Sequence, residues 1–278
     1  MQAPWRESGD PYQVLVAAVM AQQTQMSRVL PKHSEFIDVF PTIEALASAS
    51  TADVLRAWAP LGYNMRALRL HRAAQRIVSM GSWPRRVDDL QKIEGIGPFT
   101  AAIIASFAFG QPAAAIDVNV VRVLSRLAGK IDTPLPNSAL QPMADELCSP
   151  RSPARWNQAM MDLGAAVCTA RKPKCGICPI ARWCRAQPLF AEAPIRRVAE
   201  ARAPYRAQAP FAGSARYYRG RIVQALRELD AGKSLTPRQL LARIPNRHEL
   251  DSAGLRSLIE ALERDGLVRV ERGRVRLP

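Results

Sequence analysis

The chain has 278 residues, room for two or three small domains around one or two ordinary cores. Its apolar fraction of 48% excludes wholesale disorder. No window approaches about eighteen uninterrupted apolar residues and no signal-peptide pattern opens the chain, so neither a membrane span nor export is expected. The formal charge of +15 and pI near 10.5, carried mostly by arginine, point to a polyanionic partner, nucleic acid before any other.

Residues 11 to about 186 read as nearly continuous helix with short breaks and no strand alternation, an all-α unit. "FPTIEALASASTADVLRAWAPLGY" holds two helix starts, a weak one at Thr42 and a stronger N-cap at Ser50-Thr51. "NMRALRLHRAAQRIVSMG" is amphipathic through Met65, Leu68, Ala73 and Ile77 and stops at Gly81. "PRRVDDLQKI" and "PFTAAIIASFAFG" are two helices joined by the tight turn Glu94-Gly95-Ile96-Gly97. "DVNVVRVLSRLAG" is opened by Asp117, and "RWNQAMMDLGAAVC" is the last helix before a cysteine loop. Trp58 and Trp83 are expected in the core. His33, His71 and His248 are scattered, and His71 reads as a surface or satisfied residue rather than a ligand. Residues 187–214, rich in Pro, Ala and Arg, read as a basic linker. From Ala215 three helices, "RYYRGRIVQALREL", "LTPRQLLARI" and "DSAGLRSLIEALERDG", precede the alternating "LVRVERGRVRLP". This pattern suggests a winged-helix-like α+β module over 215–278. Its ribbon arginines (Arg269, Arg272, Arg274, Arg276) either track DNA backbone or are merely solvated.

Three motifs carry chemistry. Four of the five cysteines, Cys168, Cys175, Cys178 and Cys184, fall within seventeen residues, spaced x6, x2 and x5. An odd cysteine count without an export signal does not suit a disulfide framework. Zinc sites usually pair two short Cys-x2-4-Cys units, whereas one short pair with longer arms better suits the corners of a 4Fe–4S cluster. Zinc and reduced bystanders are the alternatives. Arg171, Lys172 and Lys174 sit inside the loop and can reach phosphate; Cys148 reads as an ordinary buried thiol. Gly95 and Gly97 permit a sharp turn that points backbone N–H groups from a helix start, a phosphate-binding geometry, although a plain αα-corner would look the same. Asp117 can cap its helix and also deliver a carboxylate from a rigid position.

In this order and spacing the motifs resemble the helix-hairpin-helix (HhH-GPD) base-excision DNA glycosylases with an iron–sulfur cluster, over about residues 4–186. "PYQVLVAAVMAQQTQ", "LRAWAPLGYNMRALRLHRAA" and "RWNQAMMDLGAAVCTARKPKC" look closer to the MutY-type adenine glycosylase branch than to endonuclease III. The resemblance implies a two-lobed helical glycosylase domain over 1–186, with Asp117 as the catalytic aspartate and Gly95 and Gly97 as the hairpin clamp. It makes Gln23 and Tyr63 the wedges that enter the duplex, and the four clustered cysteines the ligands of a 4Fe–4S cluster. The expected partner is double-stranded DNA bearing a damaged or mismatched base. The expected protein is a monomer, cytoplasmic and nucleoid-associated.

The pattern departs from that branch in four places. The motif Ser-Glu-Val-Met-Leu-Gln-Gln-Thr runs here from Ala17 to Thr24, and the general acid falls on Ala18. Phe99 stands where endonuclease III carries its Schiff-base lysine, so no lyase chemistry is expected. A Nudix-like C-terminal domain is not evident. The segment before Trp5-Arg6 is too short for the family's first helix, as a mis-assigned start would make it. Adenine leaves poorly unless a ring nitrogen is protonated, and alanine cannot protonate it. The expectation is a monofunctional glycosylase acting on uracil, a mismatched pyrimidine or a modified base, with Ala18 and Phe99 lining the base pocket. The alternatives are an adenine glycosylase that uses another acid, and a lesion-binding protein without turnover.

Overall fold

The computed structural model describes residues 3–131, 133–192, 211–245 and 250–278. Most of the expected linker, and His248, lie outside them. The first helices are α1 (Pro11–Ala21), α2 (Met26–Val39), α3 (Ile43–Ser48), α4 (Thr51–Trp58) and α5 (Met65–Ser79). There follow α6 (Val87–Leu90), α7 (Pro98–Phe109), α8 (Val118–Leu127), α9 (Asn137–Leu147) and α10 (Pro153–Ala166). The last are α11 (Gln187–Glu192), α12 (Ala215–Arg227), α13 (Pro237–Arg243) and α14 (Ser252–Arg264), before the strands β1 (Arg269–Glu271) and β2 (Arg274–Arg276). Among the described residues no helix is long and apolar enough to cross a membrane.

The chain divides into two compact units, Met1–Ala18 with Trp83–Tyr205, and Val19–Ser82 with Arg206–Pro278. In the first, α10 packs on α8 and α7, α6 packs on α7, and α8 on α9. Leu140, Ala144 and Cys148 close a small core against Val120 and Leu124. Cys148 is thus the ordinary buried thiol expected of it, and burial pushes its pKa up. Trp83 is only half-buried, lying against Phe109 with ring centroids 6.4 Å apart, because it leads into the unit from a loop rather than sitting on a helix face.

In the second unit, α3 and α4 pack on α5, and α2 on α4. Both helix starts form. Thr42 accepts from the Ala45 N–H at 3.2 Å, and Ser50 from the Asp53 N–H at 3.1 Å. Trp58 is fully buried beside Phe36. His71 is buried rather than at the surface, with Nε2 3.2 Å from Gln75 Nε2, and burial lowers its pKa. Residues 211–278 join this unit as the expected three helices and hairpin. Thr236 and Gln239 form a reciprocal capping box on α13. β1 pairs antiparallel with β2, Val270 opposite Val275, and Leu235 adds a bridge to Val275. The module packs through α12 on α4.

Two segments differ from expectation. The helix foreseen over "PRRVDDLQKI" is only one turn long. After Gln91 the hydrogen bonds tighten to i→i−3, with Ile93 N–H donating to Leu90 O at 3.1 Å, to reach the hairpin turn. At the start of the foreseen linker, Gln187–Glu192 form a helix.

Candidate active site and iron–sulfur loop

Gly95 closes the turn between α6 and α7 at φ 91, a conformation that strains any residue with a Cβ. Gly97 is the N-cap of α7, exposed and with no side-chain cap bond, and Pro98 occupies the first helical position. The start of this twelve-residue helix is thus exposed at Gly97 and Pro98, and its N-cap offers the first amides no side-chain acceptor. Phe99 sits half-buried one residue further on.

Asp117 is the N-cap of α8. Its Oδ1 accepts from the backbone N–H of Asn119 at 2.9 Å and of Val120 at 2.8 Å. Its Oδ2 accepts from Asn119 Nδ2 at 2.9 Å. Asn119 is held in turn by Arg122, whose Nη2 donates to Asn119 Oδ1 at 2.8 Å and to Gly164 O at 2.7 Å, while Nε donates to Cys168 O at 2.8 Å. A continuous hydrogen-bonded path thus runs from the carboxylate to the backbone of the first clustered cysteine. The extended segment leading into Asp117 is fixed by buried Asn157, which accepts from Ala115 N–H at 2.8 Å and donates to Ala113 O at 2.9 Å. None of Asn119, Arg122, Asn157 and Gly164 was singled out from sequence. The Asp-x-Asn spacing at a helix start and a glycine inside the amphipathic α10 were the available signals.

Ala18 lies on α1 in the continuous buried run from Val14 to Met20 and is 7% exposed. The end of that helix is tied down within the second unit by Arg66. This buried guanidinium donates to Val19 O at 3.2 Å, Met20 O at 3.0 Å and Thr24 Oγ1 at 3.1 Å, and also to Gln22 O. Its other nitrogen reaches Gly62 O at 3.4 Å, and it stacks 5.4 Å from the Tyr63 and Trp58 rings. Burial lowers its pKa. One side chain therefore fixes two loops, those carrying Gln23 and Tyr63. Both residues are exposed and both have positive φ, 55 and 47 respectively. That backbone is uncommon for non-glycine residues and persists only where the surroundings impose it.

The four clustered cysteines occupy short turns after α10 and are half-buried. Burial, and then the charges of Cys168, Cys184 and Cys178, raise the Cys175 thiol pKa, so the four sulfurs crowd one region. Among the described residues no three such side chains converge on a single metal ion. Four thiolates in one loop, a short Cys-x2-Cys pair with a longer arm on either side, form a donor set that would suit an iron–sulfur cluster rather than a single ion. Arg126 fastens the loop, donating to Thr169 O at 2.8 Å, Ala170 O at 2.9 Å and Cys168 Sγ at 3.2 Å. Arg171, Lys172 and Lys174 are exposed around it.

Comparison with known proteins decides the family. Residues 16–145 match the HhH-GPD superfamily of base excision DNA repair proteins, and residues 168–184 match the iron–sulfur binding domain of endonuclease III. An adenine DNA glycosylase of Mycolicibacterium smegmatis is 41% identical over 81% of this chain and 75% of its own. One of Mycobacterium tuberculosis is 38% identical over 99% of this chain and 88% of its own. The chain belongs to the HhH-GPD superfamily. It is a base excision DNA glycosylase, a hydrolase of N-glycosyl bonds, and Cys168, Cys175, Cys178 and Cys184 hold its 4Fe–4S cluster. Among solved structures, a thermostable thymine-DNA glycosylase superposes with TM-score 0.63 at 27% identity, over 68% of this chain and 89% of that one.

In this glycosylase the cluster, when bound, ties the loop after α10 into one body, and the Arg122–Asn119 path links that loop to Asp117. The path depends on close approach of α10 to α8. A Cβ added at Gly164 would fall 2.6 Å from Asn119 Cβ and 3.0 Å from its carbonyl oxygen, both short of van der Waals contact. Gly164→Ala is therefore expected to destabilise the protein by about 1–3 kcal/mol, a typical overpacking cost. It should lower the thermal midpoint while the visible absorbance of the cluster is retained.

Proposed function

We propose that this glycosylase removes adenine from mispaired duplex DNA and that it does so slowly, because the residue that would protonate the leaving base is Ala18. The supporting observation is the similarity to two adenine DNA glycosylases, which runs through 81% and 99% of the chain rather than through shared motifs alone. In this reading Gln23 and Tyr63 enter the helix as the nucleotide leaves it. Their strained backbone, stiffened by Arg66, suits residues that must push against a base stack. Gly95 and Gly97 present the α7 amides to a phosphate, and Arg171, Lys172 and Lys174 add charge along the backbone. The base rests near Ala18 and Phe99. Asp117 faces the sugar. Oδ2 accepts from Asn119 alone among the described residues, so lone-pair density remains to steady an oxocarbenium-like C1′ and to orient water onto it. With phenylalanine at position 99 no amine attacks the sugar, so the product is an abasic site and not a broken strand.

A second reading rests on the same alanine. Uracil or thymine departs as an anion held by hydrogen bonds and needs no purine protonation. The likeness to a thymine-DNA glycosylase fold at 27% identity supports it. One assay separates the two. Holo-protein is incubated with duplexes bearing adenine opposite 8-oxoguanine or guanine, and uracil or thymine opposite guanine, with and without alkali. Adenine release, with strand breaks only after alkali, is expected. Release of pyrimidine alone would replace the first reading by the second. Binding to every duplex without release of any base would leave a lesion-binding protein.

A further inference from the structure

Within the second unit, Tyr63 lies between two fixed points. On its N-terminal side the loop after α4 is held from within. Trp58 Nε1 donates to Gly62 O at 2.9 Å, and Arg66 Nη2 reaches the same oxygen at 3.4 Å. On its C-terminal side Asn64 is the N-cap of α5, yet its side chain makes no cap bond. Asparagine is among the residues best suited to accept from the first amides of a helix. Here its Oδ1 accepts instead from Arg227 Nη2 of α12, at 2.6 Å. The C-terminal module, 163 positions along the chain, thus occupies the group that would ordinarily cap α5.

The contact is built into the module. Arg227 ends α12, a helix anchored by the buried Ile222, Val223 and Leu226. Burial lowers the pKa of Arg227 to about 10, and its buried Nε has no partner among the described residues. A guanidinium that has given up water at one nitrogen depends on the bonds it keeps at the others. The module meets α5 again one and two turns further on. A Cβ added at Gly266, between α14 and β1, would lie 3.9 Å from Leu68 Cδ1 and 3.8 Å from Arg72 Nη2. The start of α5 is therefore seated against the module. A tyrosine at φ 47 keeps that backbone only while both flanks of its loop are held.

We propose that the C-terminal module serves base excision as a brace for the Tyr63 loop, with Arg227 as the positioning residue that sets how rigidly Tyr63 meets the base stack. The part Tyr63 plays in the duplex rests on the function proposed above; the bracing of its loop does not, and is read in the free protein. The amides of Arg66 and Leu68 donate to Tyr63 O at 2.9 Å and Asn64 O at 3.3 Å, so their hydrogen exchange reports the loop. Both should exchange faster in full-length holo Arg227→Ala and Asn64→Ala. Extrusion is then followed by the fluorescence of 2-aminopurine placed beside the target nucleotide, in duplexes carrying adenine opposite 8-oxoguanine or uracil opposite guanine. Each variant should extrude about tenfold more slowly, the low end for losing a hydrogen bond to a charged group. Affinity for an undamaged duplex should stay within a few-fold. The double variant should be no slower than either single one. Asn64→Asp keeps an acceptor for Arg227 and should extrude as the unsubstituted protein does. Val275→Ala removes buried volume from the hairpin of the same module, and should lower the melting midpoint without slowing extrusion. Unchanged exchange, additive losses in the double variant, or an equal slowing by Val275→Ala would overturn the proposal. Tyr63→Ala separates it from the reading beneath it. If Tyr63→Ala slows extrusion but the faster-exchanging Arg227→Ala does not, the brace is wrong and the wedge stands. If Tyr63→Ala leaves extrusion unchanged, the wedge falls and the brace with it.

Discussion

Replacing Asp117 by asparagine is expected to abolish base release from every substrate while leaving affinity for the duplex within a few-fold. The physical ground is the charge that the proposed function sets against C1′. A carboxylate about 4 Å from a developing unit positive charge, at an effective dielectric near 20, contributes roughly 4 kcal/mol, or about 10³-fold in rate. Asparagine is as good a helix N-cap as aspartate, so the bonds from Asn119 N–H and Val120 N–H survive on its oxygen. The position now held by Oδ2 becomes an NH2 group that faces the donor Asn119 Nδ2, and the Asn119 amide cannot turn without its Oδ1 giving up the bond it accepts from Arg122. A stability loss of about 1 kcal/mol is therefore expected along with the rate loss. Single-turnover base release and fluorescence-anisotropy binding on the same duplex separate the two effects. A variant that still releases base at a tenth of the original rate would remove Asp117 from the chemistry and leave it as a cap.

The parts of this site that could be read from sequence are those written in local signals. Four cysteines in seventeen residues, two glycines between apolar helices and an aspartate before an apolar run each depend on residues within a few positions. The family match at 16–145 and 168–184 falls on those same stretches. What sequence left invisible depends on residues far apart in the chain. Arg66 looks like any helix arginine until its guanidinium is found among the carbonyls of Val19, Met20 and Gln22, more than forty positions away. The strained backbones at Gln23 and Tyr63 are a consequence of that packing and have no glycine to announce them. Gly164 resembles a tolerated flaw in α10 until Asn119 is seen against it. In the C-terminal module the helix and hairpin order was legible from local signals, whereas the bond from Arg274 to the Ser234 carbonyl, forty positions away, was not.

Restoring a proton donor should restore fast adenine chemistry, and Ala18→Glu is the direct way to do it. Position 18 lies on a helix whose neighbours from Val14 to Met20 are all buried, and the alanine itself is 7% exposed. A carboxyl group placed there loses hydration, which disfavours its ionised form and raises its pKa, so it holds its proton closer to neutral pH than a surface glutamate would. That is the state a general acid must be in to protonate a departing purine, and such catalysis contributes about 10²–10⁴-fold. The added polar group should destabilise the fold by about 1–3 kcal/mol, a cost visible as a lower melting midpoint. Ala18→Gln has nearly the same size and polarity but no acidic proton, so it should show the stability loss without the gain. Release of uracil, which needs no such proton, should not rise in either variant. The expected pattern is thus a large increase for adenine opposite 8-oxoguanine with the glutamate variant alone. No increase there, in a protein that still folds, binds its cluster and engages the duplex, would mean that the missing acid is not what limits adenine removal. The pyrimidine reading of the site would then be the stronger one.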